Sequence, residues 1–86
     1  MDIARASELM KALGHPLRLK IVCGLLTKKG CNVNDMAATL KAPQSTVSQQ
    51  LGILRRCGII APNKHGVRTC YTVVDARVEK IIKTIQ

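Results

Sequence analysis

Aromatic side chains are almost missing from this 86-residue chain: Tyr71 stands alone, with no Phe and no Trp. Proteins that hold RNA or single strands stack bases on exposed rings, so the main tool of that class is absent. Acidic residues are scarce too, five Asp and Glu against fourteen Lys and Arg, for a formal charge of +9. No apolar run approaches the roughly 18 residues of a spanning helix, which excludes membrane insertion by that route. The start, Met1-Asp2-Ile3-Ala4-Arg5, has neither the apolar stretch nor the cleavage signal of a secretory peptide, so a cytoplasmic protein is expected. No Cys-x-x-Cys occurs, which disfavours a thiol–disulfide exchange enzyme. Paired carboxylates within one element, a nucleophile–base spacing and a glycine-rich phosphate loop are all lacking, so no catalytic residue and no cofactor is assigned.

What is there begins with the cationic excess. Such a charge attracts polyanions, because neutralised phosphates release their condensed counterions. With stacking rings absent, duplex DNA is the better polyanion. The most informative segment is Pro43 to Gly58. Wound as a helix, it places Val47, Leu51 and Leu54 at i, i+4 and i+7, one buried stripe. Ser45, Gln49, Gly52 and Arg56 then project from the opposite side, with Thr46 and Ser48 flanking them. That face is short, polar and uncharged until its last turn, where a helix built only for solubility would carry Glu–Lys pairs. Hydroxyls and carboxamides suit base edges in a major groove, and Gln can bond an adenine edge in two places. Gln44, Ser45, Thr46, Ser48 and Gln49 are therefore the candidate base-reading residues.

Around this helix the chain organises as one small domain over residues 1–86, with no repeat or linker. Ile3 to Leu13 reads as a helix stopped by Gly14. Pro16 opens a second with His15 as its cap, running to about Lys28 and burying Leu19, Val22, Cys23 and Leu26. Gly30-Cys31-Asn32-Val33 reads as a short strand, after which Asn34 caps a third helix. Lys41-Ala42 make a tight turn into the fourth helix, and two helices so joined form a helix-turn-helix. Ile59-Ile60-Ala61 and Val67 to Val74 read as strands around an Asn63-Lys64-His65-Gly66 turn, with Gly66 free to take positive φ. Pro62 places the first of these strands at a sheet edge. Asp75 caps a last helix with Val78, Ile81, Ile82 and Ile85 as its apolar side. The order helix-helix-strand-helix-helix-strand-strand-helix predicts a mainly α (α+β) winged helix-turn-helix. On it, Lys41 and Arg56, with Lys64, His65 and Arg68 of the wing, are expected to grip phosphates and set register.

Over nearly its whole length the sequence resembles the ArsR/SmtB family of winged-helix repressors. The likeness lies in Gly14-His15-Pro16-Leu17-Arg18-Leu19-Lys20-Ile21-Val22, Pro43-Gln44-Ser45-Thr46-Val47-Ser48-Gln49 and the wing Gly66 to Val73. Val78-Glu79-Lys80-Ile81-Ile82-Lys83 looks close to the small PagR-type branch. The recognition-helix motif is the most specific of these. The resemblance implies a homodimer that represses transcription from an inverted repeat and releases it on sensing a signal. Ile3, Leu9, Met10 and Leu13 would then meet Val78, Ile81, Ile82 and Ile85 across the dimer, which also helps a chain too small to stabilise a large core.

Metal sensing in the family needs two cysteines flanking a Val in the third helix, where this chain has Asn32 and Asn34; neutral amides do not replace thiolates for a soft metal. The family's other site needs a His two residues after Asp75, and Arg77 stands there. No metal is therefore expected. In a reducing compartment the four cysteines are expected to be free thiols. Cys23 and Cys31 read as packing residues. Cys57 and Cys70, the latter on the wing's outer face, are the more reactive redox candidates, because Arg55, Arg56 and Arg68 lie close and cations favour a thiolate. Cys23 also matches a cysteine of the thiol-sensing members, but their partner in the last helix is missing. A disulfide at Cys57 or Cys70 is expected to displace helix or wing and so weaken DNA binding. The alternative reading is a protein-interaction module whose basic face meets an acidic partner.

Overall fold

A computed structural model describes residues 1–27 and 31–86, apart from the side chain of His65. The first helix, α1 (Ile3–Leu13), begins where the Asp2 carboxylate accepts the Arg5 amide at 3.2 Å. It ends at Gly14, whose N–H reaches the Met10 carbonyl at 2.9 Å. In α2 (Pro16–Leu26) the proline occupies the first turn, where its missing N–H costs nothing. His15 caps it as expected, Nδ1 accepting the Leu17 amide at 3.2 Å. This helix is apolar nearly all round, so it offers no single stripe. Ile21, Val22 and Leu25 are fully buried, while Leu19, Cys23 and Leu26 are only partly so. That inverts most of the expected pattern, because α2 contacts α1, α3, α4 and β2 and is the helix the others surround. Its last residue is Leu26; the expected end at Lys28 lies outside the described residues.

The expected strand before the third helix is not formed by Cys31–Val33, and its first residue, Gly30, lies outside the described residues. Asn32, not Asn34, is the cap of α3 (Val33–Leu40): its Oδ1 accepts the Asp35 amide at 2.9 Å and its Nδ2 donates to Asp35 Oδ2 at 3.0 Å. That cap turns the chain straight into helix. What survives of strand character is one bond, from the Tyr71 amide to the Cys31 carbonyl at 2.8 Å.

Lys41 closes α3 in the left-handed conformation (φ 54°), the one non-glycine residue there among those described. Pro43 then opens α4 (Gln44–Arg56) with no side-chain cap. At its far end Gly58 adopts φ 75°, its amide bonding the Arg55 carbonyl at 3.0 Å, while the Ile59 amide reaches the Leu54 carbonyl at 3.1 Å. This paired closure satisfies two terminal carbonyls and drives Ile59 into the core beside Leu54.

The chain continues at once into β1 (Ile60–His65), paired antiparallel with β2 (Arg68–Val73) from Ile60↔Val73 to His65↔Arg68. Asn63, Lys64 and His65 therefore belong to the strand. The turn is the two residues Gly66 and Val67, with Gly66 at φ 65°. A two-residue loop led by a positive-φ glycine matches the twist of its flanking strands, so the longer expected turn zips up. Asp75 caps α5 (Ala76–Ile85), accepting the Arg77 amide at 2.9 Å and its guanidinium at 2.8 Å. The core gathers residues from each of α1 to α5, with Ile59 and Ile60 at the wing's base. Among the described residues no helix is long and apolar enough to cross a membrane.

Candidate nucleic-acid interface

Val47, Leu51 and Leu54 are buried to 2% exposure or less, which fixes the rotation of α4 about its axis. Gln44, Ser45, Ser48 and Gln49 are then exposed on the opposite side, and Thr46 is half-buried at its flank. The first turn lacks a side-chain cap, which leaves its amide N–H groups without a capping side chain and the positive end of the helix dipole uncompensated there. At the last turn Arg55 and Arg56 are exposed, and a Cβ added to Gly52 would meet Arg56 Nη1 at 3.8 Å, so that guanidinium lies over the glycine.

One positioning residue has no counterpart among the residues singled out from the sequence. Arg18 of α2 donates from Nη1 to Gln50 Oε1 of α4 at 3.0 Å and from Nε to the Ala12 carbonyl of α1 at 2.7 Å. A single planar guanidinium thus joins the end of α1 to the residue beside Gln49. An arginine between Leu17 and Leu19 in a largely apolar helix is a charge that must find partners, but nothing in the sequence names them.

Lys41 at the α3–α4 turn and Lys64 and Arg68 on the wing are all exposed, whereas the side chain of His65 lies outside the described residues. Lys64 and Arg68 stand beside the turn on facing strands, Lys64 opposite Thr69 and Arg68 opposite His65. The carboxylates nearby in sequence are engaged: that of Asp35 accepts from Asn32 Nδ2 in the cap of α3, and that of Asp75 caps α5. The hydrogen bond from the Arg77 guanidinium holds the Asp75 carboxyl below its ordinary pKa of 3.8, against a smaller opposing effect of burial.

The cysteines depart from expectation. Cys31 and Cys70 are joined in a disulfide, their Cα atoms 4.6 Å apart, so two of the four thiols are not free. Cys70 is half-buried, not on an open outer face, because β2 runs past the start of α3. Cys23 is half-buried and Cys57, at the end of α4, is exposed; both are free. Asn32, at one of the two positions where metal sensing needs a thiolate, is committed to capping. No cluster of three His, Cys, Asp or Glu occurs among the described residues.

The interface residues proposed for a dimer divide. Leu9, Leu13, Val78 and Ile82 are at most 7% exposed and pack in the chain's own core, so they offer a partner little accessible surface. Ile3, Met10 and Ile85 remain exposed at 68%, 58% and 67%, and Ile81 is half-buried.

Residues 15–61 match the family described as bacterial regulatory protein, arsR family. The chain is similar to the transcriptional repressor PagR of Bacillus anthracis, with 40% identity over 85 residues, 99% of this chain and 85% of the repressor. The crystal structure of that repressor superposes with a TM-score of 0.89, covering 100% of this chain and 98% of the other. Reduced HlyU from Vibrio cholerae N16961 gives the same TM-score of 0.89 at 32% identity, over 98% of this chain and 87% of its own.

Proposed function

The chain belongs to the ArsR family of DNA-binding transcriptional regulators, and from that membership we propose that it is a homodimeric repressor of an inverted-repeat operator. All 86 residues serve one domain, which both binds DNA and dimerises in the cytoplasm. The observation that carries this reading is the uncharged polar face of α4, held outward by its buried stripe. Gln44, Ser45, Thr46, Ser48 and Gln49 read bases in the major groove, while Lys41, Arg56, Lys64, His65 and Arg68 hold phosphates and set register. Ile3, Met10, Ile81 and Ile85 supply the accessible apolar surface for a second copy. Cysteine oxidation, not metal, is the signal.

Selection of tight binders by the full chain from a random duplex library tests the whole reading. Enriched sequences should carry an inverted repeat with half-site centres about one turn apart, ~34–36 Å. Enrichment of single, unpaired half-sites would remove the dimer from the proposal. Salt-sensitive retention of every duplex alike, with no sequence enriched, would remove the reading role of α4.

A further inference from the structure

We infer that Cys31 and Cys70 form a reversible oxidation site that clamps the wing to the helix-turn-helix, and that the clamped, oxidised protein is the tighter binder of duplex DNA. The inference rests on the DNA-binding reading above and names both the residues and the sign of its regulation.

The two cysteines sit at a junction of working parts. Cys31 immediately precedes Asn32, the cap of α3, which is the first helix of the helix-turn-helix. Cys70 lies midway along β2, opposite Asn63 and two residues from Arg68. They are 39 residues apart in sequence, and the chain between them includes α3, α4 and β1. Inward of Cys70, Tyr71 and Val73 pack against the core; outward lie Thr69, Arg68 and the Gly66–Val67 turn. The disulfide therefore fastens the wing at the boundary between its anchored base and its cationic tip.

The sign follows from what already joins these segments. The Tyr71 amide donates to the Cys31 carbonyl at 2.8 Å, so a backbone contact joins Cys31 to β2 beside the sulfur link. Closing the bond adds a covalent link where the chains already touch. The displacement of helix or wing expected from the sequence is not required. A two-stranded hairpin alone is marginal in water, and with thiols at Cys31 and Cys70 its outer half, beyond Tyr71, loses its covalent tie to the start of α3. With the disulfide in place, Lys64 and Arg68 are ordered before DNA arrives, and binding loses less conformational freedom.

The chemistry is open to small reagents. Neither cysteine is fully buried, and their sequence neighbours Asn32 and Thr69 line a shared groove with Asp35 and Arg68. With hydrogen peroxide as oxidant, the two thiols give up two electrons and two protons and the S–S bond forms. The peroxide O–O bond breaks, and two waters leave. A dithiol returns the electrons and protons.

The test titrates the full chain against the library-selected duplex and a mixed-sequence duplex, after peroxide and after dithiothreitol. Peptide mapping should find a Cys31–Cys70 link only in the oxidised sample. Oxidation should tighten both duplexes about 3- to 10-fold, mainly through slower dissociation, because wing contacts to phosphate carry no sequence. The Cys23→Ser/Cys57→Ser variant should keep the effect, and Cys31→Ser/Cys70→Ser should bind like reduced wild type under both conditions. Equal affinity with the link verified, tighter binding by the reduced form, or an effect that survives Cys31→Ser/Cys70→Ser would each overturn the clamp. If neither form retains any duplex, the DNA-binding reading fails instead. The clamp is then decided by amide hydrogen exchange, which must be slower at Asn63–Thr69 in the oxidised protein; unchanged exchange overturns it.

Discussion

Gln49 stands at the centre of the outward face of α4, with Val47 and Leu51 buried behind it. On the proposed reading its carboxamide bonds a base edge, and among the described residues no other side chain depends on it for a hydrogen bond. Gln49→Ala should weaken a selected operator by ~1–3 kcal/mol per half-site while leaving the thermal melt unchanged, measured by equilibrium titration. Unaltered affinity would mean that a different face of the helix reads DNA. Its neighbour Gln50 is a different case, because its Oε1 accepts from Arg18 and its loss would loosen α4 from α1 and α2. Single residues with a local job are legible in the sequence: His15 beside Pro16, Asp75 before a helical stripe, Gly66 in a turn. Arg18 is not, since its partners lie 6 and 32 residues away, beyond any periodic pattern. The choice between Asn32 and Asn34 as cap is also hidden, as both have the right chemistry.

Elements carry charge in a way single residues do not. The wing tip bears Lys64 and Arg68 on neighbouring strands, and neither has an acidic partner among the described ion pairs. Replacing either with Ala should weaken specific and non-specific duplexes alike and lower the salt slope by about one for each phosphate no longer neutralised. An effect confined to one base position would make these side chains readers of sequence. The start of α5 answers to pH instead. Because Arg77 holds the Asp75 carboxyl below 3.8, the unfolded chain takes up a proton first as acid is added. The cap's contribution is complete above about pH 4 and is lost as the pH falls through the lowered native value. Asp75→Asn should accordingly flatten the acid limb of stability, followed by chemical denaturation at a series of pH values; an unchanged limb would place the sensitivity elsewhere. The helices are foreseeable from caps and stripes. The hairpin is foreseeable in kind but not in extent, because Asn63, Lys64 and His65 have turn chemistry and become strand only through pairing with Arg68 to Cys70. The disulfide is beyond reach for the same reason: no local rule brings residues 31 and 70 together.

For the molecule as a whole, the two terminal helices serve the chain's own core first. Removing α5 would strip away Val78 and Ile82, so truncation confuses loss of a partner with loss of the fold. Met10→Glu and Ile85→Glu change only exposed apolar surface. Each should yield folded monomers by light scattering, with operator affinity reduced because two half-sites are no longer engaged together. A persistent dimer would move the interface away from α1 and α5. One backbone detail sets the molecule's stability against its activity. Lys41 holds a left-handed conformation that glycine adopts without steric cost, at a position where this protein carries a cation beside α4. Lys41→Gly should raise folding stability by roughly 0.5–1 kcal/mol, read from chemical denaturation, and at the same time lower affinity for every duplex. A screen for heat resistance alone would discard this lysine, and a screen for repression would restore it, so the residue found there records which of the two pressures has prevailed.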